Sequence, residues 1–358
     1  MMYKRTTILL LLMMLSFNFL YAQKRFESAI FSNVDSLVNI PYGHAVNIKG
    51  QDEELLLDII MPPKEDKMKK RPLLIYIHGG GFSGKSKTTD YSETVCISFA
   101  MRGYVTATIN YRLGVEKPKS NTNYAEAMYR TQQDGKAAVR FFRKNAAQYG
   151  IDTTQIFIMG SSSGGMTCLA LAYMDEAEVP ADIDQSKWGT LEGNSGNEGY
   201  SSKVQGVINC WGAMLNYNWI KKGDAPLFNV AGTADKSVPY NSSFDYHGFK
   251  YGSYILYQHC QQLGIATGWR PFYGNGHSLN GKKIKQDSSI QSIAAWLYPL
   301  LKIKKGKKDK TAFYKNVNIA EPMPLNNNNR NKKSGAAIFT ELVFINQNTS
   351  SLKLQMHG

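Results

Sequence analysis

Short apolar runs, spaced by helical stretches, constrain this chain more than any other feature. PLLIYI (72–77) and QIFIMG (155–160) are continuous apolar runs, the pattern of strands buried on both faces. ELLLDIIMP (54–62), YVTATINYRL (104–113), VQGVINCW (204–211), APLFNVAG (225–232) and a segment around WRPFYG (269–274) read as further strands. Helical spacing fills 90–104, 125–150, 164–174, 253–264 and 287–301. In the longest of these, Ala137, Ala138, Phe141 and Phe142 share a face, and Gly150 ends it. Strand–helix alternation specifies an α/β fold with a mostly parallel sheet and helices on both faces. Function in such a sheet sits at the carboxyl ends of the strands. Residues 23–50 read as an N-terminal arm, which would leave LLLD (55–58) on an edge strand.

The ends of the chain read differently. Lys4 and Arg5 precede an apolar run, Ile8 to Leu15, extended by Phe17, Phe19 and Leu20. Ala22 offers a small residue for cleavage, so residues 1–22 read as a signal peptide with Gln23 as the new N-terminus. The apolar run is short for a membrane span, and export to the periplasm or the exterior is expected. Residues 302–333 hold ten Lys/Arg against two Asp/Glu, so much of the net charge of +14 lies in a tail and reads as a solvated basic linker. The role of 302–358 is not legible. Cys96, Cys168, Cys210 and Cys260 are far apart and form no metal-binding spacing, and their pairing is left open. Residues 175–203 are polar and rich in Gly, Ser and Asn, which reads as an insertion on the active-site side of a domain spanning 23–301.

IHGGGFSGKS (77–86) fits two motifs. Gly79, Gly84, Lys85 and Ser86 match a nucleotide-binding loop. His78-Gly79-Gly80-Gly81 matches a glycine loop that supplies backbone N–H groups to an oxyanion. The first reading needs an Asp ending another inner strand to help hold Mg²⁺. The inner strands end instead in Asn110, Gly160, Trp211 and Gly232. Export also argues against a nucleotide substrate, so no nucleotide is expected, and with the basic run read as a solvated linker no nucleic acid is expected either.

Gly160-Ser161-Ser162-Ser163-Gly164 lies between a strand and a helix, the context that G-x-S-x-G requires. The turn is tight, so the flanking positions must lack side chains, and the central Ser162 is the candidate nucleophile. A serine needs a base. Of the six histidines, His277 alone follows the last strand, inside GNGHS. His247 is the reserve. His259 falls within a helix, His44 precedes the sheet and His357 lies in the tail. Asp235, in AGTADKSVP just beyond a strand, is the candidate acid that orients the imidazole, with Asp245 as the weaker alternative. The backbone amides of Gly80, Gly81 and Ser163 are the candidate oxyanion-hole donors, with Gly79 possible. His78 then braces the loop. Trp211 and Trp269, near strand ends, are candidates for the pocket wall or for core packing.

These motifs give the chain a resemblance. LLLDIIMP (55–62), HGGGF (78–82), NYRL (110–113), QDGKAAVRFFRKNAAQYGID (133–152), GSSSGG (160–165), GTADKSVP (232–239) and GNGH (274–277) resemble the α/β-hydrolase carboxylesterases of the acetyl-esterase and hormone-sensitive-lipase-like type. The resemblance implies an α/β-hydrolase fold, a triad of Ser162, Asp235 and His277, an oxyanion hole of Gly80, Gly81 and Ser163, and no cofactor. Relatives more often carry Ala where this chain has Ser163. The tail lies outside the family pattern. The expected activity is serine-dependent hydrolysis of carboxylic esters through an acyl-enzyme, on short acyl groups or on acetyl or feruloyl groups linked to polysaccharide. A serine peptidase of the same fold, or a non-catalytic binding module, is the alternative.

Overall fold

A computed structural model describes residues 24–117, 120–245, 248–303 and 316–318. The signal-peptide reading, the reserve candidate His247 and most of the tail lie outside these residues.

The strands are β1 (Asp35–Val46), β2 (Asp52–Met61), β3 (Arg71–Ile77), β4 (Val105–Ile109), β5 (Ile151–Ser161), β6 (Gly206–Cys210), β7 (Ala213–Met214), β8 (Leu227–Gly232), β9 (Ser242–Asp245), β10 (Gly248–Gly252), β11 (Thr267–Phe272) and β12 (Asn316–Asn318). The main helices are α1 (Asp90–Ala100), α2 (Asn121–Lys144), α3 (Ser163–Tyr173), α4 (Ser253–Leu263) and α5 (Lys283–Leu297). Among the described residues one sheet runs β1-β2-β4-β3-β5-β6-β8-β11-β12. β1 and β2 are antiparallel additions, and from β4 onward every pairing is parallel. β7, β10 and β9 form a second, small antiparallel sheet.

The apolar runs are apolar because both faces of the sheet are covered. On β3, Leu73, Ile75 and Ile77 join the core with α2 and α3, while Leu74 and Tyr76 join the opposite core with α1 and α5. This is the doubly covered arrangement that wholly apolar strands demand.

Three expectations change. The expected N-terminal arm contains β1, which pairs along β2 with two register irregularities, near Leu37/Ile40 and Pro41/Gly43. LLLD is therefore not on an edge. Its Asp58 is held by Lys87 Nζ, 2.7 Å from each carboxylate oxygen. Within the tail, Asn316–Asn318 adds a parallel strand beside β11. All four cysteines are buried free thiols. Among the described residues no group of three or more His, Cys, Asp and Glu side chains could hold a metal ion, and no helix is long and apolar enough to cross a membrane.

Candidate active site

Register brings the two motifs together. β3 and β5 are parallel neighbours, and their pairing ends at Ile77↔Gly160. The glycine loop and the Ser162 turn thus leave the sheet side by side at the same end. A Cβ on Gly164 would collide with the carbonyl oxygens of Ile77 and His78, so the absence of a side chain there is what lets the two turns touch.

Ser162 has φ 55° and ψ −122°, strained values for a residue with a Cβ. Two backbone bonds hold it there. Its N–H donates to the Cys210 carbonyl at 2.9 Å, and its carbonyl accepts from Met166 N–H at 3.0 Å. α3 begins at Ser163, so the first amides of that helix have no intrahelical acceptor, and the helix dipole favours negative charge at this point.

β8 and β11 are also parallel neighbours, pairing to Gly232↔Phe272. Asp235 and His277 follow in the loops beyond. His277 Nε2 lies 3.0 Å from Ser162 Oγ, and His277 Nδ1–H donates to Asp235 Oδ2 at 2.7 Å. The other carboxylate oxygen of Asp235 accepts from the Ser237 and Val238 amides at 2.8 and 3.0 Å. The turn-forming role of Asp235 and its contact with His277 therefore coexist. The Asp235 side chain is 1% exposed and that of His277 26%, so the acid is shielded while the imidazole reaches the surface of the site. Just after His277, Ser278, Leu279 and Asn280 all take left-handed angles. Leu279 is fully buried, and Asn280 Oδ1 accepts from the Gly276 amide at 3.0 Å. That short coil turns the imidazole back toward Ser162.

In the glycine loop, Gly80 has φ +126° and a Cβ there would collide with the Gly84 carbonyl oxygen. Gly81 has φ +61° and its N–H donates to Ser163 Oγ at 3.0 Å. His78 is not a base in this arrangement. Its Nδ1–H donates to the Gly79 carbonyl at 2.6 Å, and its ring stacks on Tyr111 at 4.3 Å with an interplanar angle of 18°. Burial pushes its pKa down to about 4, against the pull of the Gly79 bond and helped by nearby Lys85.

This architecture matches known proteins. The BD-FAE family matches residues 57–217. Thermogutta terrifontis esterase 2, solved as its paraoxon-phosphorylated form, superposes with a TM-score of 0.57 at 20% identity, covering 76% of this chain and 96% of that one. The chain has the α/β-hydrolase fold. Among curated relatives, gut esterase 1 of Caenorhabditis elegans is 33% identical over 31% of this chain and 19% of its own length. Carboxylesterase 3B of Mus musculus is 30% identical over 39% and 24%, respectively. Para-nitrobenzyl esterase of Bacillus subtilis (strain 168) is 29% identical over 36% and 26%. The chain thus spans about a fifth to a quarter of the length of these relatives.

The other candidates lie elsewhere. His259 Nε2 lies 3.1 Å from the Ile220 carbonyl, and His44 faces Asp52 on the exposed edge. Asp245 ends β9 of the small sheet. Trp211 and Trp269 are each 3% exposed and are consumed by packing. Trp211 lies against Tyr91, and Trp269 sits among Tyr240, Tyr254 and Tyr257. The polar insertion is fastened along α2. Gln132 donates to the Leu191 carbonyl, and Gln133 to those of Trp188 and Thr190. Lys136 and Arg140 pair with Glu192. Sequence reasoning did not single out Tyr111. It stands in NYRL, read as the end of a strand and as part of the resemblance, and the aromatic and hydroxyl it contributes under the glycine loop have no periodic signature.

Proposed function

We propose that this chain is an exported serine hydrolase of carboxylic esters. The observation that carries the reading is His277, which bridges Ser162 Oγ at 3.0 Å and Asp235 Oδ2 at 2.7 Å. In the proposed reaction, Ser162 Oγ attacks the ester carbonyl carbon while its proton passes to His277 Nε2. Asp235 holds the Nδ1–H tautomer and stabilises the imidazolium. The tetrahedral oxyanion is bound by backbone amides at the glycine loop and at Ser163. The carbon–oxygen bond to the alcohol breaks as His277 returns its proton to the departing oxygen. Water, deprotonated by His277, then attacks the acyl-enzyme and releases the acid and free Ser162.

Support for ester chemistry also comes from the relatives, which are named esterases. Thermogutta terrifontis esterase 2 has been solved with propionate and with butyrate bound, which favours short acyl groups here. Attachment of the acyl group to a polysaccharide, as acetyl or feruloyl ester, is proposed from the expectation of export. That expectation rests on the basic and apolar character of residues 1–22.

Ser162→Ala tests the reading. Turnover of p-nitrophenyl acetate should fall on the order of 10⁴-fold or more, and a variant hydrolysing it at the wild-type rate refutes it. A panel of chromogenic esters of rising acyl length, with acetyl-xylan and methyl ferulate, should show preference for short chains. N-terminal sequencing of protein recovered outside the cytoplasm should begin at Gln23.

A further inference from the structure

Ser162 is not the only strained residue at this end of the sheet. β6 pairs with β5 up to Ser161↔Cys210, and the next residue, Trp211, has φ +44°, an outlier for a bulky side chain. Cys210 and Trp211 share one peptide unit, and both of its polar groups are engaged. Its carbonyl oxygen accepts from Ser162 N–H at 2.9 Å, and its N–H donates to the Val230 carbonyl of β8 at 2.6 Å. The backbone of Ser162 therefore hangs from a second strained turn.

Asn209 closes that turn. Its Oδ1 accepts from the Gly212 N–H at 3.0 Å, and its Nδ2–H donates to the Gly212 carbonyl at 3.2 Å. One side chain thus holds both backbone groups of Gly212 and fixes 209–212 as a ring. Nδ2–H also donates to Asn229 Oδ1 at 2.9 Å, on the paired position of β8. Ser253 Oγ, at the start of α4, lies 3.2 Å from the same nitrogen. The amide is wedged against the helix that follows Ser162: a Cβ on Gly165 would stand 2.6 Å from Asn209 Oδ1, and one on Gly212 2.4 Å. Both asparagines are fully buried, and Asn229 Nδ2 has no hydrogen-bond partner among the described residues. Stability alone does not call for such a pair, since two apolar side chains of the same shape can be nearly neutral.

We propose that Asn209 is a positioning residue for Ser162. Its amide locks the Trp211 turn, the turn aims the Cys210 carbonyl, and that carbonyl keeps Ser162 Oγ in line with His277. Asn229 orients the Asn209 amide. The inference rests on the esterase reading and deepens it.

The test uses the full-length protein, assayed on p-nitrophenyl acetate. Asn209→Leu keeps the branched shape and removes both bonds to Gly212. Its kcat should fall roughly tenfold, because Ser162 Oγ loses its aim by a fraction of an ångström, while KM stays within about twofold. Its urea midpoint should also fall, because Asn229 Oδ1 is stranded. Asn209→Leu with Asn229→Leu strands neither amide, so the midpoint should recover in part while kcat stays as low as in the single variant. A purely structural pair would return rate and stability together. Inactivation by paraoxon, which needs the same attack by Ser162 Oγ, should slow by the factor lost in kcat/KM. Asn209→Asp keeps the shape and an acceptor for the Gly212 N–H, and its kcat should lie between wild type and Asn209→Leu. Should the Leu variants not fold, as judged by circular dichroism, Asn209→Asp decides alone, by a lowered kcat at unchanged KM. Wild-type kcat in Asn209→Leu or in Asn209→Asp overturns the proposal, as does a loss carried by KM alone or a double variant whose kcat recovers with its stability. A wild-type protein with no Ser162-dependent turnover overturns the esterase reading itself, an outcome distinct from these.

Discussion

His78 allows a quantitative check of the packing beneath the glycine loop. The residue is 1% exposed, and burial holds its pKa at about 4 in the folded chain. In the unfolded chain an imidazole takes its proton near pH 6.5. Between those two values the unfolded state binds more protons than the folded state, so acidification favours unfolding. The stability is complete above about pH 7, falls as the pH drops toward 4, and levels off below that. A shift of about 2.5 units at 1.36 kcal/mol per unit amounts to about 3 kcal/mol at pH 4. The perturbation is His78→Phe, which keeps a ring to stack on Tyr111 and removes the proton-binding group. Urea unfolding of both proteins at pH 7, 5.5, 4.5 and 4 gives the difference in stability at each pH. Wild type should lead at pH 7, and its lead should shrink by about 3 kcal/mol by pH 4. A difference constant to within about 0.5 kcal/mol over that range would refute the reasoning, because it would mean that His78 titrates alike in both states.

Three further outcomes follow from the geometry. Asp235→Asn leaves the shape of the carboxylate but favours the wrong imidazole tautomer, so kcat on p-nitrophenyl acetate should fall about 10⁴-fold with the fold intact; retention of a tenth of the rate would contradict this. In Gly80→Ala the new Cβ meets the Gly84 carbonyl, which should move the loop amide and reduce kcat by roughly 10²-fold, and the positive φ should also lower the thermal unfolding temperature. Asp134 is fully buried and accepts from the Arg112 amide at 2.9 Å, the Arg112 guanidinium and Ser195 Oγ. Asp134→Ala would strand the buried Arg112 charge and should cost about 3–5 kcal/mol in denaturant unfolding. A loss below about 1 kcal/mol would show that water reaches the guanidinium.

Apart from β12, the parallel half of the fold was legible because most of its strands are apolar on both faces, and that pattern survives in the sequence whatever the neighbours are. Ser162, Asp235 and His277 were legible for a related reason. Each stands in a short loop just past the carboxyl end of a strand, so placing the strands placed the loops. β1 was not legible: it is half-exposed, carries Pro41 and Gly43, and twice slips register against β2. β7, β9 and β10 are too short for any period to show. What the insertion at 175–203 touches was not legible, because polarity does not name a loop's partners. Its carbonyls and Glu192 pair with buried Gln, Lys and Arg side chains of α2, so polar residues on both partners fill an interface. Trp211 and Trp269 stand near strand ends, but large rings fill the space between sheet and helices as readily as they line a cleft, and sequence position alone does not separate the two.

The order of strands has a mechanical consequence. Ser162 leaves β5, Asp235 leaves β8 and His277 leaves beyond β11, with β6 and β8 lying between the first strand and the last. At about 4.8 Å per strand, the loop bearing His277 bridges roughly 14 Å of sheet to reach Ser162. Every degree of twist stored between those strands is therefore read out as a displacement at the imidazole. Side chains such as Val207 and Phe228, buried on β6 and β8, lie in the stretch of sheet that sets how far Ser162 and His277 stand apart.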